Sequence, residues 1–148
     1  MAKRNQLENP IYTQMEEKLN EVGPGMCLAK WTQVTLQLQT GHNHSCHHPR
    51  THKINTNEIK RNPSALHNTQ YKKLRRREML TGKRPEECDY CWNVEDNSDR
   101  FSDRTFKSQE SWSKPHFDEI VNQDWREDFN PRYVAVSYTH LTLPTKAL

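Results

Sequence analysis

Four cysteines carry the chemistry most readily available to this sequence. They are Cys27, Cys46, Cys88 and Cys91, and the chain has no others. Cys88-Asp89-Tyr90-Cys91 is a Cys-x-x-Cys pair, a spacing that lets two thiolates converge on one soft metal centre. Cys27 and Cys46 flank a stretch patterned as strand, turn and strand, whose ends meet in space. Four thiolates suit a zinc ion or an iron–sulfur cluster, and the spacing does not choose between them. Metal ligation is favoured over two disulfides, because the opening Met-Ala-Lys-Arg-Asn-Gln-Leu-Glu lacks the apolar stretch of a secretory signal. A reduced, cytoplasmic protein is expected, and a small disulfide-linked one is the weakest reading.

The composition makes a crosslinking metal useful. Hydrophobic residues are 32% of the 148 and charged residues 28%, with mean hydropathy −1.16. That is little core material for one domain. Binding at a site absent from the unfolded chain adds to folding free energy, so a metal can hold such a chain together. The net charge of +3 is a mild basic excess that does not by itself argue for nucleic acid. No apolar run approaches the length of a bilayer span, so no membrane partner is expected.

The elements that must position the cysteines follow from local pattern. Residues 1–24 read as a flexible arm, in which residues 11–21 either fray or form a short helix with Tyr12, Met15 and Leu19 near one face. Gly23-Pro24-Gly25 breaks it. From Trp31 to Gln39 the pattern has period two, with Val34, Leu36 and Leu38 on one side and Thr35, Gln37 and Gln39 on the other. Thr40-Gly41 supplies the turn, and residues 42–46 return as the second strand of a hairpin. Pro49 stops that strand. His47, His48 and His52 read as part of a basic loop rather than as ligands, since four cysteines already fill a four-coordinate site.

Thr56 is expected to cap a helix over residues 57–61, interrupted at Asn62-Pro63, with another turn at 64–67. A longer helix over residues 69–81 carries Tyr71, Leu74, Met79 and Leu80 among Lys72, Lys73 and Arg75-Arg76-Arg77. Gly82 is its expected C′ residue, and its basic run reads first as a solvated face. Pro85 opens the next element. Cys88 and Cys91 then fall in the first turn of a helix, where free amides and the dipole favour thiolate. Trp92 and Val94 can screen the pair from water. Residues 98–132 read as a helical or irregular linker anchored by Phe101 and Phe106, and Tyr133-Val134-Ala135-Val136 begins a strand.

The order Cys27, thirteen residues, Gly41, four residues, Cys46, then a gap and Cys88-x-x-Cys91 resembles the twitch domain of radical SAM enzymes. That domain is the half-length relative of the SPASM domain and keeps one of its two auxiliary clusters, in keeping with four cysteines here. Ala29-Lys30-Trp31-Thr32, Ser45-Cys46-His47-His48-Pro49-Arg50-Thr51-His52-Lys53, Asn62-Pro63-Ser64-Ala65-Leu66-His67-Asn68 and Cys88-Asp89-Tyr90-Cys91-Trp92 carry a closer likeness. They resemble radical SAM proteins of marine phage and bacteria that place this module at the N-terminus. The resemblance covers roughly residues 25–136, with the twitch-like part at 25–97. It implies a small α+β domain, a β-hairpin and short helices around a four-cysteine site. In it Cys27, Cys46, Cys88 and Cys91 would bind one auxiliary 4Fe-4S cluster for electron transfer, substrate positioning or structure. If all four coordinate it, no iron is open to substrate; if one is displaced, an open iron can hold substrate. The implied partners are an electron donor and an unknown substrate, a peptide or a small molecule.

One departure bears on activity. Radical SAM enzymes hold a second 4Fe-4S cluster and S-adenosylmethionine through Cys-x-x-x-Cys-x-x-Cys, just after the first strand of a partial barrel. Nothing in this sequence has that spacing. Where related proteins run from a strand like residues 133–137 into that motif, this chain continues with Tyr138-Thr139-His140-Leu141-Thr142-Leu143-Pro144-Thr145-Lys146-Ala147-Leu148. That string resembles translated sequencing-adapter DNA. The expectation is an N-terminal fragment, truncated at the start of the radical SAM domain, with a non-native tail over residues 138–148 and no catalysis of its own. The alternative is a zinc-stabilised binding module. On that reading alone nucleic acid is a partner, contacted through phosphates by Lys72, Lys73 and Arg75 to Arg77.

Overall fold

A computed structural model of the chain describes residues 10–46 and 48–137. His47 and the tail expected at 138–148 lie outside the described residues. Among the described residues the fold is α+β, with seven α-helices and one four-stranded mixed sheet.

Helix α1 runs over Pro10–Val22, so the stretch expected to be a loose arm is helical from Pro10 onward. Its apolar stripe is what holds it: Met15 and Leu19 are buried in the core, and the Tyr12 ring packs edge-on against Phe106 with centroids 4.9 Å apart. The glycine break after it is required by packing. A Cβ on Gly25 would stand 2.1 Å from the Lys83 carbonyl oxygen and 2.8 Å from the Arg84 Cα. Only glycine lets the chain entering Cys27 lie against the loop that leads to Cys88.

The strand expected from Trp31 starts later. Ala29–Thr32 form a single helical turn, α2, and β1 occupies Gln33–Gln37. Local bonds to one carbonyl favour the turn: Trp31 N, Thr32 N and Thr32 Oγ1 all donate to the Leu28 oxygen at 3.0 Å. The period-two reading fails at its far end too, because β1 stops at Gln37 and leaves Leu38 53% exposed. Gly41 makes the turn with φ +72°, and β2, His42–His44, pairs antiparallel with β1, Thr35 opposite His44. The chain then returns as β3, His52–Lys53, antiparallel to β2, a strand that the sequence reading took for loop. Strand β4, Tyr133–Ser137, lies parallel to β1 and completes the order β3-β2-β1-β4.

Helix α3, Thr56–Arg61, is capped by Asn55 rather than Thr56: the Asn55 side chain accepts from Asn57 N at 2.8 Å. Asn62 caps the 3-10 turn Pro63–Leu66 in the same way. Helix α4, Gln70–Leu80, starts on Thr69, whose hydroxyl accepts from Lys72 N at 3.1 Å. It ends as expected at Gly82, φ +85°, with Lys83 N donating to Glu78 O at 2.8 Å in the Schellman pattern.

The basic run of α4 is only partly a solvated face: Arg77 is exposed, but Lys72 and Arg76 turn inward. Lys72 is 1% exposed and Arg76 0%. A one-turn helix leaves its carbonyls without intrahelical partners, and α2 is buried, so those carbonyls must be met from elsewhere. Arg76 Nε donates to Lys30 O at 3.1 Å, His67 Nε2 to Trp31 O at 2.7 Å, and Lys72 Nζ to Gln33 O at 3.2 Å. Lys72 Nζ also donates to His67 Nδ1 at 2.9 Å. Burial, with Lys72 and Arg76 alongside, pushes His67 far below its ordinary value, so the ring stays neutral and Nδ1 is free to accept.

After Gly82 come the 3-10 turn Glu86–Cys88, helix α5 (Asp89–Asn97), helix α6 (Asp103–Gln109), the 3-10 turn Lys114–His116 and helix α7 (Phe117–Asn122). Leu19, Met26, Leu28, Trp31, Met79 and Ile120 form the core, and Cys27, Cys88 and Cys91 belong to the same cluster. No described helix is long and apolar enough to cross a membrane.

The two glycine roles separate on substitution. Gly25→Ala forces backbone apart and is expected to lower stability by about 3 kcal/mol. Gly41→Ala meets no atom within 4 Å and carries only left-handed strain, about 1 kcal/mol. Urea denaturation of both variants measures the difference, and equal losses contradict the packing argument.

Candidate metal centre

Three segments bring the cysteines together. Cys27 precedes α2, Cys46 lies two residues past β2, Cys88 closes the 3-10 turn at the head of α5, and Cys91 lies in the first turn of α5. All four are free thiols, 5% to 9% exposed. They line one cavity, with Lys30, His48, Met79, Trp92, Asp103 and Arg104 among its other walls. The space measures about 380 Å³ counted to its open mouth, and its enclosed part holds about one water. Disulfide pairing is absent among them. Cys27 and Cys46 line the same cavity as Cys88 and Cys91.

Each wall has a cause. Trp92 is pinned by its Nε1, which donates to Pro85 O at 2.7 Å, and with Met79 it gives the cavity an apolar side. The segment before Cys27 is tied to α6: Ser108 Oγ accepts from Leu28 N at 3.0 Å and donates toward Cys27 Sγ at 3.9 Å. Arg104 links three neighbours, donating to Met26 O at 3.0 Å, Asn20 Oδ1 at 2.5 Å and Glu95 Oε2 at 2.6 Å. Residues expected to form a linker thus build part of the site. No signal in the sequence marked Arg104 or Ser108, since each is a single polar residue in a polar helix. Lys30 was visible only as a letter in Ala29-Lys30-Trp31-Thr32.

His48 stacks on Tyr90 with centroids 3.7 Å apart, and its Nε2 pairs with Asp103 at the cavity rim. His52 is engaged at β3, with Nε2 2.8 Å from Thr69 Oγ1. Burial and the Lys72 charge lower it to about 4. Neither histidine belongs to the thiol set.

The electrostatics favour neutral thiols unless positive charge is supplied. Burial comes first, and the neighbouring thiols add to it, in pushing Cys27 far above its ordinary value. Burial likewise raises Cys46 and Cys88, and takes Cys91 to about 12. The expected help from the α5 N-terminus is outweighed. Backbone amides oppose the rise, that of Ala29 at Cys27, of His48 at Cys46 and of Arg104 at Cys91. A metal ion supplies the missing charge and deprotonates such thiols outright.

Among the described residues, no group of three or more His, Cys, Asp or Glu side chains is placed so as to hold a metal ion. No family model, curated protein or solved structure matches this chain.

Thiol reactivity reports this environment directly. In the metal-free folded protein, alkylation by iodoacetamide at pH 8 is expected to be about a thousandfold slower than in urea, because the thiolate is the reactive form. Raising the pH increases thiolate, so the folded rate should keep climbing beyond pH 10 while the unfolded rate levels off above about pH 9. Mass spectrometry at the four positions measures both profiles, and rapid labelling of folded Cys91 at pH 8 contradicts the assignment.

Proposed function

We propose that this chain is an auxiliary iron–sulfur domain of the radical SAM type, in which Cys27, Cys46, Cys88 and Cys91 hold one 4Fe-4S cluster. The observation that carries the reading is the meeting of four free, buried thiols from three separate segments around one cavity. The likeness of residues 25–136 to twitch-domain proteins points the same way. When bound, the cluster supplies one-electron transfer or a structural crosslink. The chain's own residues do the rest. Met79 and Trp92 exclude water, and the amides of Ala29, His48 and Arg104 donate toward ligand sulfurs, where such bonds stabilise thiolate charge. The ligand set is all cysteine, so no open metal position is required of it.

Reductive cleavage of S-adenosylmethionine belongs, on this reading, to a second cluster held by Cys-x-x-x-Cys-x-x-Cys, a spacing that these 148 residues do not contain. The zinc alternative keeps its four thiolates, with a reduced basic face: Lys72 and Arg76 are buried on backbone carbonyls, while Lys73 and Arg75 are partly exposed and Arg77 is exposed.

Anaerobic purification after growth with iron tests the proposal. Iron with equimolar sulfide is expected, and zinc without sulfide overturns it. Cys88→Ala and Cys91→Ala should each lose the metal, whereas His48→Ala should keep it, by iron assay. Reconstituted protein given dithionite and S-adenosylmethionine should release no 5′-deoxyadenosine catalytically; turnover would contradict the assignment of that chemistry to another cluster.

A further inference from the structure

Lys30 lines the cysteine cavity with a buried side chain, and its position is over-determined. It is 2% exposed. Its amide donates to Cys27 O at 3.3 Å, and its carbonyl accepts from Arg76 Nε at 3.1 Å. Its Nζ lies 2.5 Å from Glu87 Oε1, and the other oxygen of that carboxylate accepts from Tyr71 OH at 3.2 Å. Glu87 immediately precedes Cys88, and Lys30 follows Cys27 by three residues. The ion pair therefore joins two ligand-bearing segments and fixes a positive charge beside the thiols. The carboxylate beside it keeps the ammonium charged.

We propose that Lys30 is a positioning residue that sets the reduction potential of the four-cysteine centre, its buried ammonium raising the potential and Glu87 moderating that effect. The inference rests on the iron–sulfur reading above. Uptake of one electron adds one negative charge inside the cavity. A fixed cation in a poorly screened interior stabilises that charge, and a fixed anion opposes it. A purely mechanical staple between the two segments would behave differently, because cutting it from either side would loosen the site in the same way.

The test uses the full chain, reconstituted with iron and sulfide, and titrated anaerobically with dithionite while the reduced centre is followed by electron paramagnetic resonance. Lys30→Met is expected to shift the midpoint potential negative, Glu87→Gln to shift it positive, and Lys30→Arg to stay near wild type, all at unchanged iron content. Shifts of the same sign in Lys30→Met and Glu87→Gln, or no shift in either, overturn the inference and leave the iron–sulfur reading standing. If Lys30→Met fails to hold iron, Glu87→Gln and Lys30→Arg decide: a positive shift in the first with none in the second supports the inference, and any other result overturns it. A wild-type chain that takes up no iron removes the reading and the inference together, and the iron assay distinguishes that outcome from the others.

Discussion

A buried single-turn helix is the constraint around which this domain is arranged. Backbone carbonyls that cannot reach water must find donors inside the protein. The carbonyls of Lys30, Trp31 and Gln33 find theirs in Arg76, His67 and Lys72. Three side chains from one neighbouring segment thereby fix the start of β1, the approach of α4 and the placement of α2. Cys27 enters on one side of that turn, and Lys30 leaves it toward the thiols. Asn68 extends the same lock, accepting from Arg76 at 2.7 Å and from Phe129 N at 3.1 Å, and so draws the chain before β4 onto α4.

This arrangement gives the interior an unusual charge. Lys30, Lys72, Arg76 and Arg104 are all buried. Glu87 meets Lys30 and Glu95 meets Arg104, while Lys72 and Arg76 donate to neutral carbonyls. Burial, with Arg76 and Lys30 nearby, pulls Lys72 well below its ordinary value, and burial lowers Arg76 to about 9. On the iron–sulfur reading proposed above, a filled site would place negative charge near these groups.

What the sequence revealed and what it hid divide along a physical line. Features governed by local chemistry were legible: the Gly41 turn, the Gly82 closure of α4 and the Asn62-Pro63 break. Features decided by contacts between distant segments were not. The basic run of α4 looks like any solvated face, because the carbonyls that call Lys72 and Arg76 inward lie some forty residues away. The two-residue strand β3 has no room for a period-two pattern. Trp31 has high strand propensity, yet it sits in a helical turn because Leu28 O offers three donors a shared partner. Arg104 and Ser108 reach the site only because α6 packs beside α1.

The parallel pairing of β1 with β4 carries a consequence for the chain as it is made. Gln33 stands opposite Tyr133, and the two are a hundred residues apart in sequence. The β1–β2 hairpin can close as soon as it emerges from the ribosome, with Cys27 and Cys46 already in place. The second flank of β1 has to wait until the last strand is synthesised. During that interval the nascent chain presents an open strand edge, and such an edge is a template for pairing with other chains.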